Sequence, residues 1–166
     1  MVPDSATPVL VGHVTWQGPP AQPNALQALP ISLTLRLASG GADNEYTGLT
    51  TDASGFFTVP LGSLASGTYN WRVKGPKYLA NAGSMSIIAG TTNNAEMGLQ
   101  KAGDCNNDNV VNSVDFTILK ASFGKSVGQP GYDDRADFNG DQVVNASDFS
   151  LQRANFGIAG APPIGP

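Results

Sequence analysis

The chain has 166 residues, with 13 acidic against 9 basic side chains and a net charge of −4. That length holds one large or two small domains. The acidic balance lacks the clustered Lys and Arg that phosphate binding needs, which excludes a nucleic-acid partner. No apolar run reaches the roughly 18 residues of a membrane-spanning helix, so no membrane insertion is expected.

The charge is unevenly placed. Residues 1–101 hold five acids and five bases, and residues 102–166 hold eight acids and four bases, so the whole net charge sits in the C-terminal part. Two bound divalent cations would cancel it. Residues 1–4, MVPD, show neither the basic nor the apolar region of a signal peptide, so the sequence reads as a cytoplasmic chain or a mature secreted one. The single cysteine, Cys105, excludes an internal disulfide.

Residues 1–100 are predicted to be all β. Residues 9–16, VLVGHVTW, form the first strand candidate, and a Pro-rich loop follows over 18–30. Residues 31–37, ISLTLRL, alternate strictly between apolar and polar, giving one face of each kind. Strands are then expected over 46–51, 56–59, 68–73, 85–88 and 95–99, separated by Gly, Asn and Asp turns. About seven short strands at this spacing predict a Greek-key β-sandwich, with Trp16 and Trp71 in its core. No helix is expected before residue 113.

The series Thr51-Asp52, Gly55, Phe57, then Gly67, Tyr69 and Val73 resembles the carboxypeptidase-regulatory-like (transthyretin-like) sandwich family over about residues 8–100. The residues give the same reading directly. Asp52 and Gly55 shape a hairpin turn, while Phe57, Tyr69, Trp71 and Val73 supply core area.

From Gly103 the pattern becomes loop, helix, connector, loop, helix. Residues 104–124 (DCNNDNVVNSVDFTILKASFG) and 137–157 (DFNGDQVVNASDFSLQRANFG) superimpose at an offset of 33. In each, oxygen-bearing side chains stand at positions 1, 3, 5, 9 and 12 of a twelve-residue stretch, the ligand spacing of an EF-hand calcium loop. Calcium takes 6–8 hard oxygen ligands. The predicted ligands of loop one are Asp104, Asn106, Asp108, the carbonyl of Val110, Asn112 and Asp115. Those of loop two are Asp137, Asn139, Asp141, the carbonyl of Val143, Asn145 and Asp148. The cofactor expected is therefore two Ca2+. Val111 and Val144 should point inward, away from the ions.

Each loop leads into a helix whose phenylalanines recur at helical spacing: Phe116, Leu119 and Phe123 in the first, Phe149 and Phe156 in the second. Gly124 and Gly157 fall where a helix end takes a left-handed residue. Position 6 of the loops, usually Gly, is Asn109 and Gln142. Asn tolerates positive φ better than Gln, so loop two is expected to be the more strained and the weaker.

Position 12 is Asp rather than Glu, and residues 101–103 cannot form an entering helix. With the 33-residue duplication, these features resemble a dockerin domain over about residues 102–158. Dockerins carry two loop-plus-exiting-helix motifs and bind cohesin modules through the helix faces. The resemblance implies that Ser113, Val114 and Lys120, then Ala146, Ser147 and Arg153, face the partner. The Ser-Val and Ala-Ser pairs differ from the Ser-Thr pairs of well-known cellulosomal dockerins.

The other candidate sites carry less. His13, the single histidine, lies in a strand pattern with no oriented nucleophile beside it, and is read as structural. Cys105, at loop position 2, is expected to be an exposed thiol, with an intermolecular disulfide as the alternative. Asn145-Ala146-Ser147 matches a glycosylation sequon, but Asn145 is wanted as a ligand. Lys74, Lys77, Glu45 and Glu96 are considered for a Lys–Asn isopeptide bond. Asp133 and Asp134 are read as solvated connector charges.

The expected organisation is a sandwich over residues 1–100, a dockerin-like calcium domain over 101–158 and a Pro/Gly-rich tail over 159–166. With no linker, the two domains should pack as one rigid unit. The expected function is a non-catalytic, secreted or cell-surface module that assembles by cohesin recognition. The alternative is a self-assembling subunit of an extracellular fibre or surface layer, whose terminal segments bridge neighbouring copies.

Overall fold

The computed structural model of the protein describes residues 7–165. Nine strands run in chain order: β1 (Val9–Trp16), β2 (Pro30–Leu37), β3 (Asn44–Thr50), β4 (Phe56–Pro60), β5 (Gly67–Lys74), β6 (Lys77–Tyr78), β7 (Asn81–Ile87), β8 (Thr92–Gln100) and β9 (Ala102–Asp104). Two helices follow, α1 (Ser113–Ser122) and α2 (Ala146–Ala154).

The strands form two sheets of order β4-β1-β8 and β3-β2-β5-β7, with a short β6-β9 pair beside them. Strand β1 runs antiparallel to β4 and parallel to β8. The alternation read from the sequence sets the faces. In β1, Leu10, Val14 and Trp16 point inward; in β2, Ile31, Leu33 and Leu35; in β5, Tyr69, Trp71 and Val73. Each such side chain stabilises the fold by about 1.5–3 kcal/mol through burial. Gly12 is required where β1 passes Phe57, because a Cβ there would stand 2.4 Å from the ring.

The seven strands expected from the sequence are all present, with β7 and β8 starting earlier. The pair β6 and β9 was not expected, because two- and three-residue strands carry no periodicity. Before residue 113 the structure adds a short 3-10 helix at Ala25–Gln27, capped by Asn24.

The helices begin where loop chemistry starts them. Asn112 and Asn145 are N-caps, and Asp115 and Asp148 complete capping boxes three residues on. Gly124 (φ 79°) and Gly157 (φ 85°) end the motifs in the left-handed conformation. Of the expected helix face, Leu119 is buried, but Phe116, Phe123 and Phe156 are 38%, 50% and 54% exposed. Phe123 is the C-cap of α1 rather than a helical residue. Phe116 and Phe149 instead meet across the two helices, ring centroids 5.9 Å apart.

The two domains share one continuous hydrophobic core. Trp16 and Tyr78 of the sandwich cluster with Cys105, Leu119, Ala136, Phe138 and Val144 of the C-terminal domain. A single residue, Lys101, separates β8 from β9. The Gln17 side-chain oxygen accepts from both the Ala102 amide (3.0 Å) and the Asn155 side chain (2.7 Å), joining the end of β1 to the end of α2.

The C-terminal segment is no frayed tail. Ile158, Gly160 and Ala161 hydrogen-bond through the backbone to Val111, Asn109 and Ala80. Arg72 Nε donates to the Ala161 carbonyl at 2.9 Å, and Arg36 to that of Gly165. The expectation that a neighbouring copy holds this segment is corrected: its partners lie in the same chain. The other terminal segment in that expectation, residues 1–6, lies outside the described residues.

Candidate metal centres

Each twelve-residue loop folds back on itself through its own side chains. In loop one Asp104 accepts from the amides of Asp108 (3.0 Å) and Asn109 (2.8 Å), and Asp108 from Val110 (3.0 Å). In loop two Asp137 accepts from Gly140 and Gln142 (both 2.9 Å), and Asp141 from Val143 (3.0 Å). Asn106 and Asn139 each donate to the aspartate two residues on, at 2.8 and 3.1 Å. These short-range Asx bonds turn the chain within a few residues and aim the carboxylates at one point.

The result is two triads: Asp104, Asp108 and Asp115, and Asp137, Asp141 and Asp148. Each residue offers a carboxylate oxygen, and the oxygens of a triad all lie within 4.8 Å of one another. In each triad two of the three residues are buried. Three negative charges so placed repel strongly unless a cation sits among them. The donor set, all carboxylate, amide and carbonyl oxygen, fits a hard divalent cation such as calcium.

Burial raises the Asp115 carboxyl above the ordinary value of 3.8. Amides of Asn112 and Asn106 oppose the shift, and Asp104 and Asp108 add to it. Asp148 is raised likewise by burial, opposed by amides of Asn145 and Phe138 and reinforced by Asp137.

Asn112 and Asn145 face amides of the helices they cap, Val114 and Ser147, at 2.8 Å. Val110 bridges to Ala159 and Val143 to Ser126. Val111 and Val144 are fully buried, the orientation expected of position 8. Val111 exchanges backbone bonds with Gly157 and Ile158, and Val144 with Gly124 and Lys125. Each loop is therefore clasped by the segment that leaves the other motif's helix.

Position 6 takes the left-handed conformation in both loops, Asn109 at φ 71° and Gln142 at φ 68°. In Asn109 the side chain does more than tolerate the angle. Its Oδ1 accepts from the Ala80 amide (2.8 Å) and its Nδ2 donates to the Ala161 carbonyl (2.9 Å).

The sandwich also reaches the loops. Lys74 pairs with the Asp104 carboxylate at 2.9 Å, Lys77 donates to the Asp137 carbonyl at 3.0 Å, and the Tyr78 hydroxyl donates to the Phe138 carbonyl at 2.8 Å. None of these groups belongs to a sequence motif, because their partners lie tens of residues away.

Residues 102–154 match the family model of the dockerin type I domain. No curated protein matches the chain. Among solved structures, a chain of a C-terminal interface mutant of the type II cohesin–X-dockerin complex from Acetivibrio cellulolyticus superimposes with a TM-score of 0.63. The identity is 20%, covering 91% of this chain and 96% of that one. An N-terminal interface mutant of the same complex gives the same figures. At this identity the likeness is one of fold. A coverage of 91% can be reached only if it spans both the sandwich and the dockerin-type domain.

The residues that the dockerin resemblance assigns to a partner, Ser113, Val114, Lys120, Ala146, Ser147 and Arg153, are all exposed. They occupy the first and last turns of α1 and α2.

Cys105 departs from expectation. It is buried, not exposed, with its sulfur 3.5 Å from the Gln152 side-chain nitrogen. Loop position 2 here faces α2, so an intermolecular disulfide has no access to the thiol. Burial, reinforced by nearby carboxylates, pushes its pKa up to about 12.

His13 bridges Glu96 (2.5 Å) and Gln22 (2.9 Å). Burial alone would lower its pKa, but the hydrogen bonds to Glu96 and Gln22 outweigh burial and raise it. Asp133 caps the 3-10 turn at Asp134–Ala136 and forks onto Arg135, and Asp134 meets Lys77 at 3.4 Å. Neither is a free connector charge. Lys74, Lys77 and Glu96 are engaged in ion pairs with Asp104, Asp134 and His13.

Proposed function

We propose that the chain is a non-catalytic, extracellular assembly module that binds two calcium ions and docks through α1 and α2 onto a cohesin-like β-sandwich. The carrying observation is the duplicated carboxylate triad, each member delivered by a loop whose last two ligand positions also cap the docking helix. Calcium ligation by Asp104, Asn106, Asp108, Val110, Asn112 and Asp115, and by Asp137, Asn139, Asp141, Val143, Asn145 and Asp148, would therefore fix the start of each helix. The exposed Ser113, Val114, Lys120, Ala146, Ser147 and Arg153 would then be held in place for the partner.

The fold likeness to a chain of a cohesin–X-dockerin complex supports a sandwich that acts as a fixed companion of the dockerin-type domain. Its membership of the carboxypeptidase-regulatory-like sandwiches remains part of this reading. No helix of the described residues is long and apolar enough to cross a membrane.

The test is calorimetry with a panel of type I and type II cohesins in calcium and in chelator, alongside size determination of the free chain. The expected outcome is a calcium-dependent 1:1 complex with at least one cohesin and a monomer without it. Spontaneous polymers in calcium, with no cohesin bound, would favour the self-assembling fibre subunit instead.

A further inference from the structure

The two triads are alike in sequence but not in surroundings. Lys74 stands at the end of β5, and its side chain is 11% exposed. Its ammonium lies 2.9 Å from Asp104 Oδ2 and 2.5 Å from Asn107 Oδ1, and donates to the carbonyls of Gly75 (3.0 Å) and Tyr78 (2.5 Å). Burial lowers the pKa of this group and the Asp104 carboxylate opposes the shift, while four oxygen acceptors, one of them that fully buried carboxylate, surround the nitrogen as they would an ammonium. The matching carboxylate of loop two, Asp137, receives neutral donors at the equivalent place: the Gln142 amide at 2.9 Å and the Tyr132 hydroxyl at 3.0 Å. The other nearby lysine, Lys77, turns to the Asp137 main-chain carbonyl and to Asp134. Loop one thus has an ammonium paired directly with one of its triad carboxylates, whereas the ammonium nearest loop two, that of Lys77, pairs with no carboxylate of that triad.

We propose that Lys74 is a resident counter-ion through which the sandwich domain holds loop one folded without calcium and lowers the calcium affinity of that loop. The inference rests on the calcium reading of the two triads. Removing the metal from loop one leaves one carboxylate still paired, whereas loop two is left with none. Binding the metal in loop one brings a divalent ion up to a carboxylate already shared with an ammonium. One unit charge beside a divalent ion weakens its binding by about tenfold even at a water-like dielectric. The left-handed Gln142 against Asn109 acts in the opposite direction, but its cost is a difference between two strained residues and is the smaller effect. Loop one is then the weaker site, the reverse of the order that position 6 alone gives. Because the ammonium comes from β5, the affinity of one site is set from the neighbouring domain.

The experiment is calcium titration by calorimetry of the full chain and of Lys74→Met and Lys74→Arg, with thermal melts of all three in chelator. Asp141→Ala, which disables loop two, assigns the classes of site. The expected wild-type result is two classes, with the weaker surviving in Asp141→Ala. Lys74→Met should tighten the weaker class by about tenfold, leave the tighter class within about twofold, and lower the metal-free melting temperature. Lys74→Arg keeps the charge and should keep both wild-type affinities within about twofold. An unchanged or weakened loop-one affinity in Lys74→Met overturns the proposal. So does an equal tightening in Lys74→Arg, since charge is then not the cause. Absence of any calcium binding in all three proteins would instead remove the calcium reading itself.

Discussion

The Tyr78 hydroxyl donates to the Phe138 carbonyl at 2.8 Å, so a residue of the sandwich ends on the second residue of loop two. Both residues are fully buried, and the Tyr78 ring also packs against Trp16 with centroids 4.7 Å apart. Tyr78→Phe keeps the ring and leaves a buried carbonyl without its donor. That change costs about 1–3 kcal/mol. We expect denaturant unfolding of Tyr78→Phe in calcium to show this loss, and the C-terminal domain to separate from the sandwich as an earlier transition. Unfolding at the wild-type midpoint would show that the bond does not couple the domains.

The pH response follows from Asp115 and Asp148. Burial raises both carboxyls in the folded, metal-free chain. A raised folded value means that the folded state takes up protons more readily than the unfolded one just above the ordinary carboxylate range. The contribution of these groups to metal-free stability is therefore present at acid pH and is lost as pH rises through their folded values. Calcium binding requires the ionised forms, so affinity should fall over the same window as pH is lowered. Calorimetry in chelator and calcium titration, both run from the ordinary carboxylate range up to neutral pH, check the two opposite slopes. Parallel slopes would contradict the assignment.

Cys105 provides a chemical probe of the same domain. Its thiol is buried beside Gln152, and its pKa is pushed up to about 12, so thiolate is scarce and access is closed. In calcium we expect the thiol to resist an aromatic disulfide reagent for as long as the domain stays folded. Chelation should loosen loop two and α2, whose Gln152 covers the thiol, while loop one stays tied to the sandwich through Lys74 and Asp104. Labelling should then become at least about a hundredfold faster, since protection scales with the closed population. Equal rates with and without calcium would show that the metal does not hold the domain closed.

The sequence displayed those parts of the structure whose partners are near in the chain. Strands β1, β2 and β5 were legible because alternation reports which side is buried. The triads were legible because calcium loops use side chains within twelve residues, and the caps Asn112 and Asn145 sit inside those same loops. What stayed hidden is long-range. Lys74 finds Asp104 thirty residues on, β6 finds β9 across the whole of β7 and β8, and Gln17 finds Asn155 at the far end of the fold. Cys105 departs from its expected exposure because the loop alone leaves position 2 open, and the residue that covers it, Gln152, belongs to α2 far along the chain. Residues 159–161 read as a tail because Pro and Gly give no periodicity, yet their backbone groups help to close loop one.

Asn109 and Gln142 occupy the same loop position with nearly the same φ, and they should nevertheless respond in opposite directions to Gly. At Gln142 the exposed side chain is not needed for the bonds that shape loop two, which come from backbone amides and Asp137. Gln142→Gly relieves a left-handed residue and should raise stability by about 0.5–1 kcal/mol. At Asn109 the same relief is set against two hydrogen bonds, from the Ala80 amide at 2.8 Å and to the Ala161 carbonyl at 2.9 Å. Losing both, and leaving the Ala80 donor without its acceptor, costs about 1–3 kcal/mol and outweighs the gain. Asn109→Gly should therefore be destabilised by about 1–2 kcal/mol, the balance of these two effects. Hydrogen exchange should locate the loss at the Ala80 and Ala161 amides rather than in loop two. If both substitutions stabilise, Asn109 is a loop residue like any other; if they diverge, it is the point where loop one, the sandwich and the C-terminal segment are joined.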